Sequence, residues 1–213
     1  MVPAFRMARK TKAEAQATRS SLIDAAEQLF LAQGVSQTSL QDIAQAAGVT
    51  RGAVYWHFRD KVDLFDALMD RVRLPIEDAD DETAASPDGA ALARLRQLLL
   101  SPLRHAAGDE QVRRAYEIAL HKVEYAGELV SVRERRLQAN RDYLLAIEQR
   151  LRRAGLSAAQ ATRHARGLHA LVAGLVQSWM LAPDDFDLVA DGTHAIDSQL
   201  AALPLPARRG AAG

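Results

Sequence analysis

Residues 38 to 61, TSLQDIAQAAGVTRGAVYWHFRDK, restrict the fold more than any other stretch of the chain. Leu40, Ile43, Ala44 and Ala47 recur at i, i+3, i+4 and i+7, which gives a short helix one apolar face and leaves Gln41, Asp42 and Gln45 opposite. Thr38 and Gln41 have capping-box spacing, so that pair is expected to begin the helix. Gly48 supplies a left-handed corner, and Thr50 is placed to cap a second helix whose buried side is Val54 and Phe58. Helix, glycine turn and helix form a helix-turn-helix.

The second helix is informative for what lies opposite its buried side. Arg51, Gly52, Tyr55 and Trp56 form two i,i+4 pairs on an outward arc. Tyr55, Trp56 and Phe58 could instead be a core cluster with Arg51 and Lys61 as a solvated rim. The caps, the glycine turn and the polar-aromatic arc occurring together favour a reader of double-stranded DNA. Arg51 suits guanine edges, and Gly52 allows close backbone approach. Thr38, Thr50, Tyr55, Trp56 and His57 are then the groups that position the phosphate backbone. Lys61 opens the next helix, where backbone amides also favour phosphate, and is assigned a phosphate contact.

Bulk properties narrow the classes. No run of eighteen apolar residues is present, nor a basic start followed by an apolar core, so a soluble, cytoplasmic protein without membrane contact is expected. The absence of cysteine excludes disulfides and thiolate sites. The formal net charge is zero, but up to Lys61 eight basic residues face five acidic ones. The acidic excess lies elsewhere, notably at Glu77, Asp78, Asp80, Asp81 and Glu82.

Before the reader, Met1 to Arg6 carry no functional signal, and Met7 is a candidate initiator. Arg9, Lys10 and Lys12 read either as a flexible basic arm for DNA or as a solubilising terminus. Leu22, Ile23, Ala26, Leu29 and Phe30 mark an amphipathic helix from about 13 to 33, stopped by Gly34. Asp60 caps a further helix, with Leu64, Phe65, Leu68, Met69 and Val72 inward, which ends before Pro75. Residues 77 to 89 read as a solvated loop, and their acids do not have the spacing of an EF-hand.

Beyond that loop every segment has a helical period: about 90–107, 110–127, 130–154, 158–181 and 186–202. No strand pattern and no phosphate-binding glycine loop appear, so nucleotide enzymes are unsupported and no cofactor is expected. Glu117, His121 and Glu124 share a helical face, but ordinary helix contacts explain them, and neither a metal site nor catalysis is assigned. The segment 158–181 is apolar on more than one face. One side serves its own domain; the other, with Ile196, Leu200 and Leu203, is expected to meet a second subunit. The last residues, PLPARRGAAG, read as a disordered tail.

Thr38, Ile43-Ala44, Ala47-Gly48-Val49, Gly52, Tyr55, His57-Phe58 and Lys61 stand at the spacings of the TetR family signature, which this stretch closely resembles. MARKTKAEAQATR at 7–19, EIALHKVEY at 117–125 and LAPDDFDL at 181–188 extend the resemblance to the AcrR-like branch, repressors of multidrug efflux pumps. It implies an all-α, two-domain homodimer: a helix-turn-helix domain at 1–60, with a basic arm at 1–12, and a ligand and dimer domain at 61–203, followed by a tail at 204–213. It also implies a near-palindromic operator and a hydrophobic small-molecule inducer. By residue matching, the pocket is lined by Val72, Leu95, Leu98, Leu99, Tyr116, Leu120, Tyr143, His169, Val172, Ala173 and Val176. Of these, Tyr116, Tyr143 and His169 serve either to orient a ligand or as satisfied core residues. A neutral or aromatic ligand is expected, and it acts by swinging the helix from 60 to 74. The sequence leaves open a protein-partner module and a ligand-responsive activator.

Overall fold

Six helices begin on a Ser, Thr or Asp whose side-chain oxygen accepts a backbone N–H of the first turn: Ser39, Thr50, Asp60, Asp109, Ser157 and Asp187. Those caps punctuate the chain. The computed structural model describes residues 12–71, 88–124 and 127–206. Among them are α1 (Lys12–Gln33), α2 (Leu40–Ala46), α3 (Arg51–His57), α4 (Lys61–Asp70), α5 (Asp88–Gly108), α6 (Glu110–His121), α7 (Val130–Arg153), α8 (Ala158–Leu181) and α9 (Leu188–Ala201), with a 3-10 turn at Gly127–Leu129. No strand occurs among the described residues. Arg9 and Lys10 of the expected arm, Val72, the acidic loop up to residue 87 and the tail beyond Pro206 lie outside the described residues.

Two apolar cores organise these helices. The first joins Leu22, Ile23, Ala26 and Phe30 of α1 to Ile43, Ala44, Val54, Phe58, Leu64, Phe65 and Leu68. α4 therefore fills the reader's core, whereas the boundary expected at 60/61 assigned it to the second domain. Ile118, Leu129 and Val132 reach into the same core from the other domain and make the seam apolar. The second core lies among α5, α7, α8 and α9, around Leu95, Leu99, Leu103, Ile147, Leu151, Leu168 and Trp179.

Three expectations need correction. α2 is capped by Ser39 and Asp42 rather than Thr38 and Gln41: the Ser39 hydroxyl oxygen accepts from the Asp42 amide at 3.2 Å, and the Asp42 carboxylate accepts from the Ser39 amide at 2.9 Å. The helix starts one residue late because Thr38 is drawn into the core, 1% exposed, where its hydroxyl donates to the Gly34 carbonyl at 2.8 Å. α6 stops at His121, well before Gly127, so Glu124 leaves the face shared by Glu117 and His121. Ile196 and Leu203, expected at a subunit contact, are buried in their own chain's core.

Candidate functional site

The two reader helices have seven residues each, too short to hold themselves, so caps and turns set their positions. Gly48, at φ +66°, makes the corner between them, as its position requires. Thr50 accepts from the Ala53 amide at 3.3 Å and starts α3; Val54 and Phe58 anchor its inner side. The outer arc is open to solvent, and Trp56 is 72% exposed and Tyr55 48%. The Arg51 guanidinium lies over the Tyr55 ring and donates to its hydroxyl at 3.2 Å, an arrangement that holds a flexible cation ready. The Trp56 and His57 rings meet edge to face at 4.5 Å. A Cβ on Gly52 would meet only the Thr50 hydroxyl, at an ordinary contact distance of 3.9 Å, so the fold itself does not require glycine there.

Two residues expected on this surface are turned away from it. Thr38 spends its hydroxyl inside the α1–α2 corner, as described above. Lys61 is only 8% exposed, and its ammonium donates to the carbonyls of Val35, Ser36 and Thr38 at 2.9, 3.4 and 3.0 Å. Arg51, Gly52, Tyr55, Trp56, His57 and the exposed Thr50 are brought together; Thr38 and Lys61 stand behind them.

The expected ligand chamber falls on the second core. Leu95, Leu98, Leu99, Val172 and Val176 are buried there, and Tyr116 and Tyr143 pack against them. Leu120 and His169 are partly buried, while Ala173 faces outward on α8, one residue around the helix from Val172. Pro102 sits inside α5 and has no N–H to give to the Leu98 carbonyl four residues earlier. The Tyr143 hydroxyl donates to that carbonyl at 3.2 Å, so α7 satisfies a group that α5 cannot. The Tyr143 and His169 rings meet edge to face at 5.8 Å. Burial pushes the Tyr116 phenol up to about 12 and raises Tyr143 as well, so both are neutral donors; burial lowers His169, which favours the neutral imidazole.

Sequence reasoning missed the polar joints between the two cores. Glu27 of α1, 5% exposed, pairs with Arg114 of α6. Asp66 of α4 pairs with Arg135 of α7 at 2.5 Å, and the Val35 amide donates to the Lys122 carbonyl at 2.9 Å. Arg71 ties the end of α4 to α1 through Asp24 at 2.5 Å and the Ser20 hydroxyl at 2.8 Å. A charged residue on an apolar helix face, Glu27 above all, was the available signal. Arg150, 2% exposed within the second core, was equally unforeseen; it donates to the Ala146 carbonyl at 2.9 Å.

A capped two-helix reader joined to a helical domain by an apolar seam with ion pairs beside it defines a helix-turn-helix regulator. Residues 22–68 match the family described as bacterial regulatory proteins, tetR family, and residues 90–204 match the MAATS-type transcriptional repressor C-terminal region. The chain belongs to the TetR family. It is 41% identical over 194 residues to the HTH-type transcriptional regulator AcrR of Shigella flexneri, spanning 85% of this chain and 87% of that one. The crystal structure of NalD, secondary repressor of the MexAB-OprM multidrug efflux pump in Pseudomonas aeruginosa, superposes with a TM-score of 0.80 at 35% identity and covers 90% of this chain and 98% of that chain. A complex of SmeT with triclosan superposes at 0.75 and 35% identity, covering 88% and 91%. SmeT is the repressor of the Stenotrophomonas maltophilia efflux pump SmeDEF. No helix among the described residues is long and apolar enough to cross a membrane.

Proposed function

We propose that this protein is a dimeric, sequence-specific repressor that leaves its operator when a hydrophobic small molecule enters the α5–α8 core, and that it controls a multidrug efflux operon. The observation that carries the DNA reading is the arc of α3. An exposed tryptophan and tyrosine, a stacked arginine and a glycine that the fold does not need are costly on a free surface, and each has a use against a duplex. Dimerisation is supported by the outward face of α8, where Gly167, Ala170, Ala173 and Gly174 lie in line with the exposed Leu181. Two readers on one duplex then enter successive major grooves about 34–36 Å apart. The ligand class is supported by an apolar core with only Tyr116, Tyr143 and His169 as polar handles, and by triclosan in the SmeT complex.

Release follows from the joints. α4 is held to the reader at both ends, by Lys61 and by Arg71, so α1 to α4 move as one body rather than α4 swinging alone. A ligand that spreads α5, α6 and α7 strains Glu27–Arg114 and Asp66–Arg135, and the reader tilts. Coupling of about 1–3 kcal/mol suffices for a several-fold to hundredfold loss of affinity.

Fluorescence anisotropy with DNA from upstream of the protein's own gene, in excess nonspecific DNA and with a panel of hydrophobic drugs and dyes, tests this. Tight, salt-sensitive binding released by some compounds is expected. Arg51→Ala should cost about 1–3 kcal/mol and relax sequence preference. Tight binding that no compound alters would favour control by a protein partner.

A further inference from the structure

We infer that Lys61 is a positioning residue that pins the α1–α2 corner from beneath, and that it does not contact phosphate itself; the inference rests on the DNA-binding reading above. An ammonium has three donors and no acceptor. Here three carbonyls, those of Val35, Ser36 and Thr38, converge on it within 2.9 to 3.4 Å, and its side chain is buried. These carbonyls belong to the turn between α1 and α2, where no helix ladder receives them. A buried charge is tolerated when its hydrogen-bonding capacity is met, and a turn is tolerated when its carbonyls are met. Lys61 and the corner meet both needs at once.

The corner matters because of what it fixes. Thr38 and Ser39 deliver the chain into α2, and Ser39 is the α2 cap. α2 packs on α3, so a shift of the corner re-aims the outer arc of Arg51, Tyr55 and Trp56. Val35 also donates its amide to the Lys122 carbonyl beyond the end of α6, so the knot that Lys61 ties is the place where the ligand domain touches the reader's backbone. Removing the ammonium leaves that contact in place but lets the corner float.

Lys61→Met and Lys61→Arg in the full-length protein separate the two roles. Met keeps the length and loses the charge. Arg keeps the charge, but its planar fork does not match three carbonyls converging on one point. If Lys61 positions, both variants lose about tenfold or more in affinity for the specific site, nonspecific affinity changes less than about twofold, and the slope of log affinity against log salt stays within about 0.3 of wild type. Active fraction from stoichiometric titration, together with the melting temperature, keeps folding loss separate from lost affinity. If Lys61 contacts phosphate, Arg behaves as wild type, while Met weakens all DNA alike and flattens the slope by about one per contact; that outcome overturns the proposal. A DNA-free arm uses amide hydrogen exchange. Faster exchange in Lys61→Met confined to Thr38 and residues 39–44 is expected, and unchanged protection there overturns the proposal. Failure of the wild type to bind any DNA would sink the regulatory reading, while the exchange arm would still decide the role of Lys61.

Discussion

The reader and the ligand domain hold their helices by different chemistry. In the reader, α2 and α3 are seven residues each and begin on the caps Ser39 and Thr50, α4 begins on Asp60, and Lys61 and Arg71 hold them from beneath and beside. In the ligand domain, α5, α7 and α8 run 21 to 24 residues and are joined by leucine, valine and tryptophan contacts. A polar peg fixes a direction and contributes little energy, whereas apolar packing contributes much energy and yields to a change of volume. Aim is therefore vulnerable in one region and stability in the other. A small molecule that inserts volume acts where volume is what counts.

Leu99→Ala breaks the second region most severely. Its side chain is fully buried in the second core, and the substitution should cost about 2–5 kcal/mol, read by urea or thermal unfolding. At low temperature, where the variant is still folded, operator affinity should hold while the response to ligand changes. Parallel loss of affinity and stability would erase the distinction between the regions. Tyr143→Phe is the next step down. It strips the donor from the Leu98 carbonyl that Pro102 leaves unmet, an expected loss of about 1–3 kcal/mol. Unchanged stability would mean that water takes over the carbonyl and that Tyr143 is free to serve a ligand.

The two regions were also unequally legible. Gly48, Thr50 and Asp60 act as their local chemistry dictates, because caps and positive-φ corners are written in single residues. The helix spans beyond residue 88 followed from apolar period alone, apart from α6, which ends at His121, where the next carbonyl, that of Lys122, accepts the Val35 amide from another part of the chain. The burial of Lys61 and Thr38 was hidden for the same reason: their partners are carbonyls of a turn, and no side-chain pattern reports which side chains those carbonyls take. Ala173 and Val172 differ by one step around α8, a distinction that a helix apolar on two faces does not reveal. Pro102 was the exception that sequence held but reasoning passed over, since a proline inside a helical period always orphans the carbonyl four residues before it.

Ser39→Ala sharpens the comparison from the reader's side. Loss of a cap costs about 1 kcal/mol. The structural cost is smaller than that of Leu99→Ala, yet the effect on operator binding should be larger, because α2 loses its fixed start while the core beneath it stays packed. Anisotropy and a melt on the same sample measure both. A variant that loses stability and keeps full operator affinity would show that the caps hold the reader together without aiming it.

The smallest effect concerns His169, partly buried on α8 against the Tyr143 ring. Burial lowers its pKa from 6.5, so the folded state prefers the neutral ring more than the unfolded chain does. The sign follows: its contribution to stability is complete above the unfolded value, and it is lost as pH falls through the lower folded value, where the unfolded chain already binds the proton. Solvent around a partly exposed imidazole screens the charge and keeps the effect slight. Melting temperatures of wild type and His169→Gln, compared from about pH 7.5 down to about pH 5, isolate it. Wild type should lose slightly more on acidification than the variant. An equal loss would place the histidine in solvent, and a wild type that gained stability in acid would require a buried anion beside the ring. Either result would remove His169 from the few polar groups available to orient a neutral ligand, leaving that task to the two tyrosines.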